Sequence, residues 1–327
     1  MPQFYQITKH SSIIHQDMTC QFLLPDNFPA IEILRSEGIA VCAKATTKRS
    51  LSVLRLRSAT KAEVPLKIAI LNLMPIKITT EVDLLRLLSN SPLEMEVDFV
   101  RLETHVSKNT SAEHLNAYYK PFSVIKNSTY DGCIITGAPV ELLPFEEVTY
   151  WRELTGIFDW ARENVTSTFY ICWGAQAALN HFYGIPKYTL NKKMSGVFKH
   201  TVNEPTFPLF RGFDDEFFVP HSRHTTVYAD DIRKCAELTL LSESDEVGVS
   251  LVSSRNGRDI YATGHSEYAP LTLHEEYVRD TAKGLDSVEM PKHYYPNNDP
   301  TKKPIVKWRA HANLLFSNWL HWLVRGE

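Results

Sequence analysis

Residues 165–179 read VTSTFYICWGAQAAL, and the character of this stretch changes at one residue, Cys172. The residues before the cysteine are mostly apolar or β-branched, which is typical of a buried strand, and those after it are rich in alanine and predict a helix. A strand that runs straight into a helix leaves its last side chain at the edge of a sheet. The helix N-terminus carries about half a positive charge, which favours a thiolate. The stretch therefore predicts a nucleophilic cysteine.

Strands and helices alternate in the predictions for the residues that precede Cys172. The first strand, Lys67–Met74, is apolar almost throughout, which is typical of a strand buried on both faces. The alternation predicts an α/β fold with a mostly parallel sheet and helices on both faces. The other predicted elements of this half are a helix at Ala30–Ser36, a helix from Thr79 or Thr80 to Leu88, strands at Met95–Leu102 and Cys133–Thr136, and a helix at Val148–Glu163.

The C-terminal half has a more mixed pattern. Residues 255–258, RNGR, predict a hairpin turn between strands at Val247–Ser253 and Asp259–Thr263, and His265 then lies just past a strand end. Arg309–Val324 predicts an amphipathic helix.

The domain organisation predicted from the pattern is simple. Residues 1–22 lack periodicity and are interpreted as an N-terminal extension, and residues 23–327 as a single domain. Residues 44–63 are polar and rich in basic side chains, and they are interpreted as a surface segment.

The composition argues against several classes of protein. The 327 residues are 43% hydrophobic and 22% charged, as in ordinary soluble proteins, and a net charge of -3 gives no reason to expect nucleic acid or an anionic membrane as a partner. No apolar run approaches a membrane span and the N-terminus has no signal-peptide core, so we expect a cytoplasmic protein. Neither a GxGxxG run nor a GxxxxGK[ST] loop occurs, so nucleotide-driven chemistry is not expected.

The sequence predicts no metal site. The cysteines are odd in number, widely spaced and without a CxxC pair, which argues against a zinc ribbon or a disulfide framework. They are Cys20, Cys42, Cys133, Cys172 and Cys235. The run His221–His224 offers two histidines, but their spacing is poor for zinc and no third ligand is apparent.

A second signature follows the predicted hairpin, in which His265 stands two residues before Glu267. In an acyl-transfer site, Cys172 would be the nucleophile, His265 the base and Glu267 the group that orients the imidazole. Backbone amides at Trp173 and at the turn that begins with Gly137 are the candidate oxyanion donors. On the residues alone, this site and a strand-end turn with an exposed histidine both remain open.

The chain resembles the homoserine O-acyltransferases of methionine biosynthesis, which have a class I glutamine amidotransferase-like fold. The resemblance covers roughly residues 24 to 323. The runs that carry it are LNLMP (71–75), LRLLSNSPL (85–93), TGAP (136–139), YW (150–151), CWGAQA (172–177), PHSR (220–223), TGHSEY (263–268) and WRAHANLLF (308–316).

The resemblance implies a two-step reaction through an acyl-thioester on Cys172, with L-homoserine as the acceptor and a Cys–His–Glu triad. It implies that Lys193, Ser222 and Arg279 bind the substrate, Arg279 through a two-pronged bond to a carboxylate. It also implies a homodimer and no bound cofactor, with the acyl-CoA acting as a co-substrate.

In the resembled family, the position held here by Glu141 separates the acyl donors: glycine accompanies succinyl transfer and glutamate accompanies acetyl transfer. A carboxylate beside the acyl pocket repels the free carboxylate of a succinyl group and fills its space. The resemblance therefore implies acetyl-CoA as the donor. The alternatives are homoserine O-succinyl transfer, serine O-acetyl transfer, glutamine amidotransferase or γ-glutamyl hydrolase activity, and a regulatory protein without catalysis.

Overall fold

The computed structural model describes residues 22–24, 27–39, 41–43, 64–105, 107, 109–284 and 288–325. The predicted extension, apart from Phe22, and the basic segment 44–63 lie outside the described residues. The described strands are β1 (Phe22–Leu24), β2 (Val41–Ala43), β3 (Leu66–Leu71), β4 (Met95–Arg101), β5 (Tyr119–Pro121), β6 (Tyr130–Ile135), β7 (Val165–Ile171), β8 (Tyr188–Val202), β9 (Glu216–Thr226), β10 (Leu238–Ser244), β11 (Gly248–Ser254) and β12 (Asp259–Ala262). The described α-helices are α1 (Ala30–Ser36), α2 (Lys77–Leu88), α3 (Ala112–Tyr118), α4 (Phe122–Ile125), α5 (Trp151–Asn164), α6 (Trp173–Tyr183), α7 (Ala229–Lys234), α8 (Thr272–Ala282) and α9 (Arg309–Arg325).

The described strands form one sheet in the order β2-β1-β4-β3-β6-β7-β12-β11-β10-β8-β9, and β5 pairs with β4. Pairing is parallel from β2 to β12 and antiparallel from β12 to β9. The parallel part relies largely on helical crossovers, whereas hairpins can join antiparallel neighbours. The predicted mostly parallel α/β fold is therefore confirmed, with an antiparallel extension on one side.

Alternate side chains of the central strands pack into two hydrophobic clusters, one on each face of the sheet. Ile68 and Ile70 of β3 pack with α2 and α9, whereas Ala69 and Leu71 of the same strand pack with α5 and α6. This period-two alternation explains why β3 is apolar almost throughout: both of its faces are covered by helices. None of the described helices has the length and apolar character that crossing a membrane requires.

Several predicted boundaries agree with the structure and others differ. Strand β3 ends at Leu71 instead of Met74, and β6 begins at Tyr130 instead of Cys133. The Ala30–Ser36 helix and the hairpin between β11 and β12 are confirmed. Helix α2 begins at Lys77, before the predicted Thr79 or Thr80, and Ile76 precedes it without a side-chain cap. Helix α5 begins at Trp151 and not at the predicted Val148, because the backbone of Val148 is extended after a short 3₁₀ turn at residues 145–147. The single domain at residues 23–327 stays a prediction.

The sheet places the candidate site at the carboxyl ends of two neighbouring parallel strands. Strand β7 ends directly before Cys172, and β12 ends three residues before His265. The two strands pair in register through Ile171 and Ala262. Ligands of open α/β sheets bind outside these carboxyl ends.

Candidate active site

Cys172 occupies a strained turn between β7 and α6. Its φ of 51° and ψ of -118° lie in a region that a side chain rarely adopts. The turn is anchored because the Cys172 amide donates to the carbonyl oxygen of Ala262 at 2.7 Å. The side chain is almost fully buried. This geometry is that of a nucleophile elbow, as the change of sequence character at Cys172 predicted.

Gly174 allows the helix after the elbow to approach the neighbouring strand. A Cβ atom at this position would lie 2.6 Å from the carbonyl oxygen of Thr136 and 3.0 Å from that of Ile135. Both contacts are with backbone atoms, which cannot rotate away. The elbow therefore needs glycine two residues after the cysteine. Two residues before it, Tyr170 is buried and its ring stacks on Tyr261 with centroids 5.0 Å apart.

His265 lies against Cys172 and is held from both sides. Its backbone amide donates to the carbonyl oxygen of Pro220 at 2.8 Å, and its Nδ1 is 2.6 Å from Oε1 of Glu267. The imidazole also interacts with the Cys172 thiol, which lines the same cavity. Burial disfavours the imidazolium, but Glu267 and Cys172 outweigh it and raise the pKa of His265 well above its usual range. The structure thus brings the three predicted triad residues together.

The two predicted oxyanion positions lie next to the thiol. A Cβ atom built on Gly137 would be 3.3 Å from Cβ of Cys172 and 3.6 Å from the amide nitrogen of Trp173. Trp173 is the first residue of α6, where amide groups have no partner within the helix. Their part in binding an oxyanion stays a prediction.

The three predicted substrate-binding residues lie beside two carboxylates of α8. Lys193 Nζ is 2.9 Å from Asp280 and 3.3 Å from Glu276, and the Ser222 hydroxyl donates to Glu276. Arg279 Nε donates to Asp280 at 2.7 Å. The cluster therefore holds two cations and two anions, which gives it no net charge.

Both carboxylates of this cluster favour the ionised form. Burial opposes the charge on Glu276, but Lys193 and the neighbouring hydroxyl donors lower the pKa of its carboxyl below the usual range. Burial likewise opposes the charge on Asp280, but Arg279 and Lys193 lower its pKa to about 2. The sequence analysis missed both residues. Their position one turn apart on the helix that carries Arg279 is the signal that was available.

Tyr268 connects the cluster to the triad. Its ring stacks on the imidazole of His265, with centroids 4.2 Å apart and planes inclined by 22°. Its hydroxyl donates to Oε1 of Glu276 at 2.8 Å. Tyr268 lies in the TGHSEY run but was assigned no role from the sequence.

A cavity of about 360 Å³ opens beside Cys172 and His265, and Glu141 and the cluster of Lys193, Glu276 and Asp280 lie along its wall. Glu141 is half-buried, and its Oε2 accepts from the backbone amide of His224 at 2.6 Å. The predicted acyl-selecting carboxylate thus shares one cavity with the thiol.

The His221–His224 run alternates between two environments because it lies within β9. Ser222 and His224 face the cavity, whereas His221 and Arg223 are fully buried. Nε2 of His221 is 3.0 Å from Nε2 of His200, and its Nδ1 contacts Arg223. Within the described part of the chain, no group of three or more His, Cys, Asp and Glu side chains is arranged to hold a metal ion.

The fold is similar to that of a solved glutamine amidotransferase. A glutamine amidotransferase from Thermotoga maritima aligns with a TM-score of 0.52 at 13% identity, over 80% of this chain and 99% of that chain. At this identity the likeness shows the fold alone. It confirms the predicted class I glutamine amidotransferase-like architecture.

Sequence comparisons give the family. The model of the homoserine O-succinyltransferase (HTS) family matches residues 21–327. A homoserine O-acetyltransferase of Bacteroides fragilis is 58% identical over 305 residues, which are 93% of this chain and 96% of that protein. A homoserine O-acetyltransferase of Phocaeicola vulgatus is 56% identical over 304 residues, with the same coverage. The chain therefore belongs to the homoserine O-succinyltransferase family of acyltransferases.

Proposed function

We propose that this protein transfers an acetyl group from acetyl-CoA to the hydroxyl of L-homoserine, through a thioester on Cys172. The observation that carries the proposal is that Cys172 and His265 lie at the wall of a cavity that also holds Glu141, with Glu267 bonded to His265 behind them. Relatives of 56–58% identity named homoserine O-acetyltransferase support the same activity. The product, O-acetyl-L-homoserine, would serve methionine biosynthesis.

In the first step, the Cys172 thiolate attacks the carbonyl carbon of acetyl-CoA. The bond from that carbon to the CoA sulfur breaks, and the CoA sulfur takes the proton of the His265 imidazolium, so that CoA leaves as the thiol and His265 becomes neutral. The raised pKa of His265 supports this step, because a protonated imidazole beside Cys172 can give its proton to the leaving sulfur. The amides at Trp173 and Gly137 are proposed to bind the oxyanion.

In the second step, neutral His265 removes the proton from the homoserine hydroxyl. The hydroxyl oxygen attacks the acetyl carbonyl carbon, and the bond from that carbon to Sγ of Cys172 breaks. The thiol is regenerated and O-acetyl-homoserine leaves. Glu267 holds the imidazole in one orientation during both steps, through its bond to Nδ1. Lys193, Ser222 and Arg279 are proposed to bind the amino acid.

The second candidate function is homoserine O-succinyl transfer, which the description of the matching family model favours. Glu141 argues against it. Its carboxylate is fixed by the His224 amide in the cavity of the thiol, so a succinyl group would bring a second carboxylate close to it. An acetyl group has neither the charge nor the length to meet this barrier.

The test is CoA release with L-homoserine as acceptor, run in parallel with acetyl-CoA and succinyl-CoA, and with L-serine as a second acceptor. Intact-mass measurement without acceptor reports the adduct, and Cys172→Ala is the control that should lose it. We expect an acetyl adduct and turnover with homoserine. A preference for succinyl-CoA would keep the mechanism but overturn the assignment of Glu141.

Loss of every adduct with both donors would contradict the proposal itself. Glutamine hydrolysis by the same triad would then be the next activity to assay, given the shared fold. The homodimer implied by the family resemblance is also a proposal, and light scattering of the purified protein tests it.

A further inference from the structure

The loop that carries Glu141 forms one wall of the cavity beside the thiol, yet it contains no helix or strand. Residues 137–143 all line that cavity, and they lie between the end of β6 and the 3₁₀ turn at 145–147. Leu142 and Leu143 are 63% and 42% exposed, so their side chains anchor the loop only weakly. The position of the Glu141 carboxylate therefore depends on contacts that reach the loop from other elements.

Lys187 provides the first of these contacts. Its ammonium group donates to the carbonyl oxygen of Glu141 at 2.6 Å and to that of Leu143, and it lies 4.3 Å from the centroid of the Phe145 ring. A charged donor makes stronger hydrogen bonds than a neutral one, and the face of an aromatic ring also attracts a cation. Burial lowers the pKa of Lys187, whereas Glu141 and Glu146 favour its charged form. One side chain thus holds the loop at three of its residues.

A second contact fixes the carboxylate itself, and it comes from the same part of the sheet. Oε2 of Glu141 accepts from the backbone amide of His224, which lies in β9. Lys187 directly precedes β8, whose first residue, Tyr188, pairs with Thr226 of β9. The β8–β9 pair therefore holds Glu141 twice, by its backbone through Lys187 and by its carboxylate through His224. Loss of either contact should let the carboxylate move away from the cavity.

We propose that Lys187 is a positioning residue that holds the Glu141 carboxylate beside the acyl group and thereby contributes to the choice of acyl donor. This inference rests on the proposed function, because it assigns part of the donor selection of that reaction to a residue outside the triad. Among the described residues, those that line the cavity of the thiol include Glu141 but not Lys187. The influence of the lysine on the donor therefore passes through Glu141.

The test is a double-mutant cycle between Lys187 and Glu141. Lys187→Met keeps an unbranched side chain but removes the ammonium group, and Lys187→Arg keeps a charged donor. The matched control is Lys126→Met, at an exposed lysine directly after α4. For each change, alone and combined with Glu141→Gly, intact mass follows the acylation of Cys172 by acetyl-CoA and by succinyl-CoA. The ratio of the two rate constants on one protein does not depend on its folded fraction, so partial unfolding leaves the ratio unaffected.

We expect Lys187→Met to raise the rate constant for succinyl-CoA relative to that for acetyl-CoA by about 3- to 10-fold, because the repelling carboxylate is no longer held in place. Lys187→Arg and Lys126→Met should stay near the native ratio. In the Glu141→Gly background, Lys187→Met should leave the ratio unchanged, because the carboxylate that the lysine positions is absent.

An unchanged ratio in Lys187→Met, including an equal loss with both donors, would show that the lysine has only a structural role and would overturn the proposal. The same would follow if Lys187→Met changed the ratio equally in the native and Glu141→Gly backgrounds, because its action would not pass through Glu141. Failure of the native enzyme to acylate Cys172 with either donor would instead refute the proposed function, and this inference with it.

Discussion

Replacing Glu267 by glutamine tests whether this carboxylate provides the charge that sustains the base. The Oε1 to Nδ1 distance is 2.6 Å, and the Glu267 side chain is only 10% exposed, so water screens the pair weakly. A hydrogen bond to a charged group contributes about 1.5–3 kcal/mol, which corresponds to roughly 10- to 150-fold in rate if it is lost in the transition state. A glutamine amide can also donate to Nδ1 and hold the wrong tautomer of the imidazole. In the serine protease triad, replacing the aspartate by asparagine has this effect and lowers kcat about 10⁴-fold.

We therefore expect Glu267→Gln to lower kcat by about 10- to 10⁴-fold. Glu267 is the strongest of the groups that raise the pKa of His265, so the pKa of the imidazole should fall in the variant. Deacetylation needs neutral His265, so the rising limb of its pH–rate profile should move to lower pH. Acetylation should slow as well, because the imidazole loses the carboxylate that orients it and stabilises its positive charge.

The assay follows the two half-reactions separately, by the mass of the acetylated protein and by release of CoA in the presence of homoserine. Thermal unfolding of the variant shows whether the fold is intact, and Glu163→Gln, which removes an exposed carboxylate near the end of α5, controls for the loss of a carboxylate. The reasoning is refuted if kcat and the rising limb both stay at native values in the variant. Glu267 would then be a neighbour of His265 with no influence on its protonation.

Three further changes test other parts of the structure. Burial raises the pKa of the Asp83 carboxyl from 3.8 to about 7. The folded state therefore binds the carboxyl proton more tightly than the unfolded state does, and the free energy of unfolding should fall as pH rises from about 4 to about 7. Asp83→Asn should abolish up to about 4 kcal/mol of this decrease, measured as the free energy of unfolding in urea at several pH values. A difference between variant and native protein that does not change with pH would contradict the expectation. Gly174→Ala should destabilise the fold by about 1–3 kcal/mol, because the added Cβ would lie 2.6 Å from a backbone oxygen. Gly156→Ala is the control: this glycine lies on an open helix surface, so the change should stabilise the fold by about 0.4–1 kcal/mol. Equal effects of the two changes on the free energy of unfolding would refute the packing argument. Glu141→Gly should raise the kcat/KM for succinyl-CoA relative to acetyl-CoA by about 10-fold, and an unchanged ratio in the CoA-release assay would remove Glu141 as the acyl selector.

The elements predicted correctly from sequence are those with a strong local signal. The elbow at Cys172 shows as a change from strand-forming to helix-forming residues, and the turn at 255–258 has an asparagine–glycine pair. The N-terminus of α2 was misplaced because Thr79 and Thr80 resemble caps. The structure places both threonines within the helix, where the Thr80 hydroxyl donates to the carbonyl oxygen of Ile76 at 3.4 Å, four residues earlier.

The part of the site that was missed depends on contacts between distant parts of the chain. Ser222 lies 54 residues from Glu276, and Lys193 lies 87 residues from Asp280. The spacing of Glu276 and Asp280 on one helix is a local signal, but no local pattern identifies Lys193 or Ser222 as their partners, because only the fold brings these groups together. The family resemblance supplied the donors of this cluster, Lys193, Ser222 and Arg279, but not the acceptors. Strands β1 and β2 were missed for another reason: each spans only three residues, too few to show a period.

The pairing of Ile171 with Ala262 has a consequence for how this chain can vary. The nucleophile and the base follow different strands, and the hydrogen-bonded pairing of these strands sets their separation. Cys172 lies one residue beyond Ile171, and His265 lies three residues beyond Ala262. A slip of one residue would displace the imidazole by about 3.3 Å and turn the side chains of β12 to the opposite face. Insertions or deletions within β12 would thus misplace His265. The turn at 255–258 precedes β12, so it can lengthen without changing the number of residues between Ala262 and His265. The alignment of the reacting atoms is therefore set by the register of β7 and β12.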